Sequence, residues 1–195
     1  MALPFAQVYD RLGGWAEAHS LRVENSVLAA GKAGQFDGIT ITINSFYAPD
    51  ERTYYLVHAL GSNVGWSLNK SGVQGMFDEL REAKVEKNSK RLEVAINRYR
   101  AFEDESSAFA VSILDDLGAR ELISSYTNFM RADLEALTVF HRCGQAPVWR
   151  DFFSQWNTEV SLGWKKVLPF QAKPVPPFLP LRIRPQEILQ QQPEP

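Results

Sequence analysis

The sequence predicts an α+β fold, mostly α, with a small β-sheet and an extended Pro-rich C-terminal tail. Three observations carry this. Apolar residues recur at helical spacing through most of residues 4–160, one short run alternates isoleucine and threonine, and proline crowds the chain from Leu168 onward.

The first helix is expected over residues 4–19, where Phe5, Val8, Tyr9, Leu12, Trp15 and Ala16 share a face. Gly13-Gly14 weakens it, since each glycine costs a helix about 1 kcal/mol relative to alanine. Residues 22–33 read as helical or irregular. Gly38-Ile39-Thr40-Ile41-Thr42-Ile43-Asn44 is the one strand the pattern identifies. Pro49-Asp50 then starts a helix that runs from about Glu51 to Leu68, broken at Ser71-Gly72. A further helix is expected over Val73 to Ala83, followed by a charged, solvated turn and helix start over Lys84 to Arg91.

From there to Leu117 apolar spacing predicts a long helix with a break near residue 103 and a stop at Gly118. Arg120 to Arg142 makes the next helix, ending at Gly144 with Arg142 near the last carbonyls. A short one follows over Val148 to about Val160. After Leu168 the prolines enforce extended geometry, and Gln190 to Pro195 is low-complexity, so the end of the chain is expected to be disordered.

The 195 residues are 45% hydrophobic and 23% charged, an ordinary globular balance with material for a real core. A net charge of −2 supplies no global basic field, so no direct nucleic-acid contact is expected. The single cysteine, Cys143, allows neither an intrachain disulfide nor a multi-thiolate zinc cage. No signal-peptide pattern opens the chain and no apolar run approaches about 18 residues, so a cytoplasmic protein without a membrane span is expected.

The informative segment is Arg52-Thr53-Tyr54-Tyr55-Leu56-Val57-His58-Ala59-Leu60-Gly61-Ser62. A helical H-E-x-x-H places two imidazoles one turn apart and a carboxylate beside a metal-bound water. Here His58 occupies the first position, Ala59 stands where the glutamate would be, and Ser62 stands where the second histidine would be. Downstream comes Glu103-Asp104-Glu105-Ser106-Ser107-Ala108-Phe109-Ala110.

An Ile-rich strand, a turn, Arg52, the His58 helix and then this second helix together resemble the ImmA/IrrE metallopeptidases. That family carries an H-E-L-G-H helix followed by E-x-E-A-N-x-F-A-x-x-L-L. Glu103, Glu105, Phe109, Ala110, Ile113 and Leu114 match the later motif. The resemblance implies a zincin-like domain over residues 1–120; beyond it, helical spacing leaves 121–167 as a helical extension and composition leaves 168–195 as a Pro/Gln-rich tail. It also implies that Glu103 descends from the third zinc ligand.

The departures decide the functional expectation. A catalytic zinc needs three protein ligands and an open position for water. His58 and Glu103 remain, but a serine hydroxyl is a poor substitute for imidazole, and Ala59 removes the general base, a loss of about 10²–10⁴-fold on its own. His58, Ser62 and Glu103 are therefore read as a vestigial metal site, with no catalytic residue and no cofactor expected. The resemblance implies a catalytically inactive regulator that binds a protein partner, such as a helix-turn-helix repressor.

Two alternatives stay open: an active zinc-dependent peptidase with altered ligands, and a non-enzymatic helical interaction domain. Read without the resemblance, His58 is a core histidine held by a hydrogen bond. Neither His19 nor His141 lies at ligand spacing from it. Trp149, Phe152, Phe153 and Trp156 form one helical face, read as core or as a candidate protein interface.

Overall fold

A computed structural model of the chain describes residues 4–29 and 31–176. The proline and glutamine run expected to be disordered, from Pro177 onward, lies outside the described residues. The described residues fold as six α-helices and a three-stranded sheet: α1 (Phe5–Ala18), β1 (Arg22–Ser26), β2 (Gly34–Phe36), β3 (Thr40–Asn44), α2 (Pro49–Leu68), α3 (Lys70–Val85), α4 (Ser89–Asp116), α5 (Ile123–Cys143) and α6 (Trp149–Ser161). This is the mostly α class with a small sheet. Among the described residues, no helix is long and apolar enough to cross a membrane.

The sheet corrects the single-strand expectation. Its order is β1-β3-β2, with β1 parallel and β2 antiparallel to β3. Strand β1 falls where a helix or irregular segment was expected, because only Val23 of its five residues is even partly buried. An edge strand without a buried face carries no period-two signal. The predicted strand, β3, is central, and its Thr42 and Asn44 are buried along with Ile41 and Ile43. The β2–β3 turn is closed by Asp37, whose carboxylate accepts from the Ile39 and Thr40 amides at 2.9 and 2.7 Å. Gly38 follows it at φ 100°, a conformation that suits glycine.

Several helix boundaries move for local reasons. Helices α2 and α3 part at Asn69, whose side chain accepts from the Gly72 amide at 3.1 Å; Ser71-Gly72 lies inside the first turn of α3. The charged run holds a short turn, Glu86 to Asn88, between the end of α3 and the start of α4, with Asn88 capping α4 through the Arg91 amide. Helix α4 passes residue 103 without a break. The stretch from Arg120 begins as a 3₁₀ turn over Arg120–Leu122 before α5 starts. Gly118 and Gly144 end α4 and α5 at φ 71° and 76° as expected. Arg142 does not cap α5; it makes a two-pronged pair with Glu93 on α4 at 2.8 and 2.9 Å.

The core lies where α2, α4, α1 and α5 meet the sheet. Leu12, Ile41, Leu60, Phe109, Ile113 and Tyr126 are wholly buried in one cluster. Each such aliphatic or aromatic side chain contributes about 1.5–3 kcal/mol. Helices α2 and α4 approach most closely at Gly61, where an added Cβ would sit 2.1 Å from the Ser106 carbonyl oxygen.

The aromatic face of α6 turns toward α5. Trp156 is buried and its indole N–H donates to Asn128 Oδ1 at 2.9 Å, while the Asn128 amide donates to Asn157 at 2.8 Å. Trp149 and Phe153 stack at 5.2 Å and both meet the Phe129 ring edge-on. Phe152 stacks more loosely on Trp149, at 6.5 Å. Asn128→Ala is expected to cost about 1–3 kcal/mol, because it strands the buried indole donor. A lower melting temperature, with earlier proteolysis around residues 145–165, would report it.

Residues 168–176 run extended across α4 and α5. Phe170 is buried under the Arg131 guanidinium, 3.9 Å from its ring centre, and Arg131 Nε donates to the Leu168 carbonyl at 3.0 Å. Lys173 is pinned to α4 at three points: its amide donates to the Ala108 carbonyl, its carbonyl accepts from Ser112 Oγ at 2.7 Å, and its ammonium pairs with Glu105.

Candidate functional site

Helix α2 carries His58, Ala59 and Ser62 along the face that looks toward the sheet and α4, and α4 presents Glu103 to the same place. The His58 Nε2–H donates to Glu103 Oε2 at 2.7 Å, and Ser62 Oγ lies 3.4 Å from that same nitrogen. Three residues separated by up to 45 positions thus meet at one point. The His58 and Glu103 side chains are 15% and 11% exposed, so the pair is shielded but reachable.

Three neighbours were not singled out by the sequence. Tyr126 Oη and Ser107 Oγ lie 3.3 and 3.4 Å from His58 Nδ1, on the buried side of the ring. Asp133, on α5, stands behind, with the Tyr55 hydroxyl 3.5 Å from its Oδ1. These positions come from α5 and from the interior of α4, and only packing reveals them. A polar residue on the apolar face of an amphipathic helix, as Asp133 is between Met130, Leu134 and Leu137, is the one sequence signal available.

Electrostatically the cluster behaves as a unit. Burial of His58 disfavours the imidazolium, yet the charge and hydrogen bond of Glu103, with Asp133 adding its charge, outweigh this and raise the histidine pKa. Burial pushes the Asp133 carboxyl up to about 6, against the pull of the His58 charge. Burial also raises the Tyr55 and Tyr126 phenols, which remain neutral donors.

The ring has no free base. Nε2 carries its proton toward Glu103, and the other nitrogen faces the buried Tyr126 and Ser107 hydroxyls. Ser62 competes with Glu103 for the same nitrogen, so the imidazole cannot take the serine proton while an acid orients it from the far side, as nucleophilic catalysis requires. Ser107 has the alternative connectivity, but it is 2% exposed and no substrate can reach it.

A zinc ion does not fit the residues present. Two strong donors, His58 and Glu103, already satisfy each other, and Ser62 contributes only a neutral hydroxyl. Among the described residues, no group of three or more His, Cys, Asp or Glu is placed to hold a metal. His19 stacks on Trp15 at 3.8 Å, far from ligation geometry in its contacts. His141 accepts from the Lys84 ammonium at 2.9 Å, and burial together with that charge lowers its pKa to about 4.

In front of the pair lies a cleft of about 410 Å³. It is lined by Phe36 and Ile41 from the sheet, Trp66 from α2, Phe77 from α3 and Phe102 from α4, and by the polar group His58, Ser62 and Glu103. Strand β2 is an edge strand and forms one lip. The four aromatics named for α6 lie elsewhere, against α5. Compared with family models, curated proteins and solved structures, the chain matches none.

Proposed function

We propose that the chain is a catalytically inactive, peptidase-like protein of ImmA/IrrE type, with a zincin-like fold, that acts by holding a segment of a protein partner in the cleft. One observation carries the reading: the His58 imidazole is bonded to Glu103 at 2.7 Å across a cleft whose general-base position is Ala59. The arrangement keeps a substrate-sized groove and lacks the groups that would activate water. By the resemblance, the partner class is a regulator such as a helix-turn-helix repressor, and the biological role is control rather than cleavage.

The test is metal content and cleavage together. Purified protein is expected to hold well under one zinc per chain by elemental analysis and to leave casein and repressor substrates intact, with or without chelator. Chelator-sensitive cleavage abolished by His58→Ala would establish the active zinc peptidase instead. The double variant Ala59→Glu, Ser62→His rebuilds the H-E-x-x-H pattern facing Glu103. It is expected to gain close to one tightly held zinc, since three protein ligands then converge. A double variant that folds and takes up no zinc would contradict descent from a metal site.

A further inference from the structure

The lining of the cleft specifies more than an apolar groove. Among the described residues, Glu103 is the only acid that lines it, and no lysine or arginine does. Asp133 lies outside the lining, and its charge is felt at His58 and Glu103. One carboxylate set among aromatic walls, with no lysine or arginine among the described lining residues, favours a cationic visitor. The walls agree with this. Phe77 sits 6.3 Å from both Trp66 and Phe102, stacked on one and edge-on to the other. Aromatic rings cover an alkyl chain well and attract an ammonium.

The polar atoms point the same way. Asn63 lines the cleft, is 5% exposed, and its Oδ1 has no hydrogen-bond partner. A buried acceptor left unpaired is costly, so a native structure rarely keeps one without a use. With Ser62 Oγ and the Glu103 carboxylate, which also line the cleft, it makes three acceptors there. An ammonium offers three donors and no acceptor. The Trp66 indole N–H, also buried and unpartnered on the wall, lacks an acceptor that a peptide carbonyl supplies.

We infer that the cleft receives a lysine side chain of a partner polypeptide, its stem between Trp66, Phe77 and Phe102 and its ammonium at Glu103 and Ser62. The inference rests on the non-hydrolytic reading of this cleft and names what the cleft recognises. An apolar stem with a charged tip matches an apolar wall with a polar end. Lysine is favoured over arginine because His58 already occupies Glu103 Oε2. A guanidinium binds a carboxylate best as a two-pronged fork, which that hydrogen bond obstructs, whereas a point charge needs only one oxygen. An ionised carboxylate accepts about four hydrogen bonds, so the His58 contact leaves capacity.

The full chain would be titrated calorimetrically with four capped pentapeptides, Ala-Ala-X-Ala-Ala, where X is lysine, norleucine, Nε-acetyl-lysine or arginine. The lysine peptide is expected to bind about tenfold more tightly than norleucine or acetyl-lysine, with arginine weaker than lysine. Glu103→Gln is expected to abolish that preference, and Ser62→Ala, on the open side of the pair, to reduce it. Should Glu103→Gln fail to fold by circular dichroism, the wild-type series and Ser62→Ala still decide. Norleucine binding as tightly as lysine, or no saturable binding of the lysine peptide up to about 1 mM, overturns the inference. Mass spectrometry of the same peptides separates the two claims: chelator-sensitive cleavage would overturn the non-hydrolytic reading, whichever peptide binds best.

Discussion

Gly61→Ala is expected to be the most damaging single-methyl change in the chain. Substituting alanine for glycine inside a helix ordinarily helps by about 1 kcal/mol. At Gly61 the new Cβ would lie 2.1 Å from the Ser106 carbonyl oxygen and 2.9 Å from the Ala110 amide nitrogen. Both are backbone atoms of α4, so no side-chain rotation relieves the clash. The helices must separate, and the buried face they share, with Leu60, Val64, Phe109 and Ala110, opens with them. Overpacking against rigid neighbours costs about 1–3 kcal/mol or more, and this site belongs at or above the top of that range. For a chain of this size that is a fall in Tm of about 10 °C. Gly75→Ala is the matched control: it is an exposed helical glycine with nothing within 4 Å of a built Cβ, and it is expected to raise Tm by about 2 °C. A Gly61→Ala protein melting within 2 °C of wild type would contradict the close α2–α4 crossing. The crossing also sets the site, because His58 and Glu103 lie on these two helices.

The motif segment was therefore legible for two separate reasons. Leu60 and Gly61 are packing residues of the α2–α4 contact, while His58 and Ser62, on the neighbouring face, meet Glu103. Long amphipathic helices were also legible, since the positions of Leu56, Leu60, Ile96, Ile113 and Leu134 follow a 3.6-residue period and are all buried. Strands β1 and β2 were not: Arg22-Val23-Glu24-Asn25-Ser26 and Gly34-Gln35-Phe36 are mostly exposed, and only their backbone bonds to β3 define them. Propensity is weakest where tertiary contacts decide. The break between α2 and α3 lies at Asn69, two residues before Ser71, because the asparagine side chain caps α3 and Gly72 fits inside its first turn.

In the site, sequence reasoning reached the residues that stand in the motif and stopped at those that surround it. Tyr126 and Asp133 belong to α5, outside both motif segments, and nothing in their spacing points to His58. Their contribution is electrostatic. It is felt only once α5 lies against α2 and α4, burying a carboxyl next to an existing acid and imidazole.

That burial leads to the second large effect: Asp133→Asn is expected to stabilise the protein above neutral pH and to be nearly silent in acid. The Asp133 carboxyl has an ordinary value of 3.8 and rises to about 6 in the fold through burial, with Glu103 adding repulsion. Between those values the folded chain keeps a proton that the unfolded chain has lost, so stability declines as pH rises toward 6 and stays lower beyond it. Asparagine is neutral throughout and escapes this decline. The difference between variant and wild type is thus expected to grow from near zero below about pH 4 to about 1–3 kcal/mol above pH 7. His58 runs in the same direction at higher pH. Its raised pKa stabilises the fold fully below the ordinary value of 6.5, and this is lost as pH rises through the folded value. Since Asp133 helps to hold the His58 proton, Asp133→Asn should also lower the histidine pKa, visible by NMR titration of its ring. Chemical denaturation of both proteins from pH 4 to 8 measures the first effect. A variant less stable than wild type at pH 8 would mean that a cation holds the Asp133 carboxylate ionised, reversing the electrostatic account of the cluster behind His58.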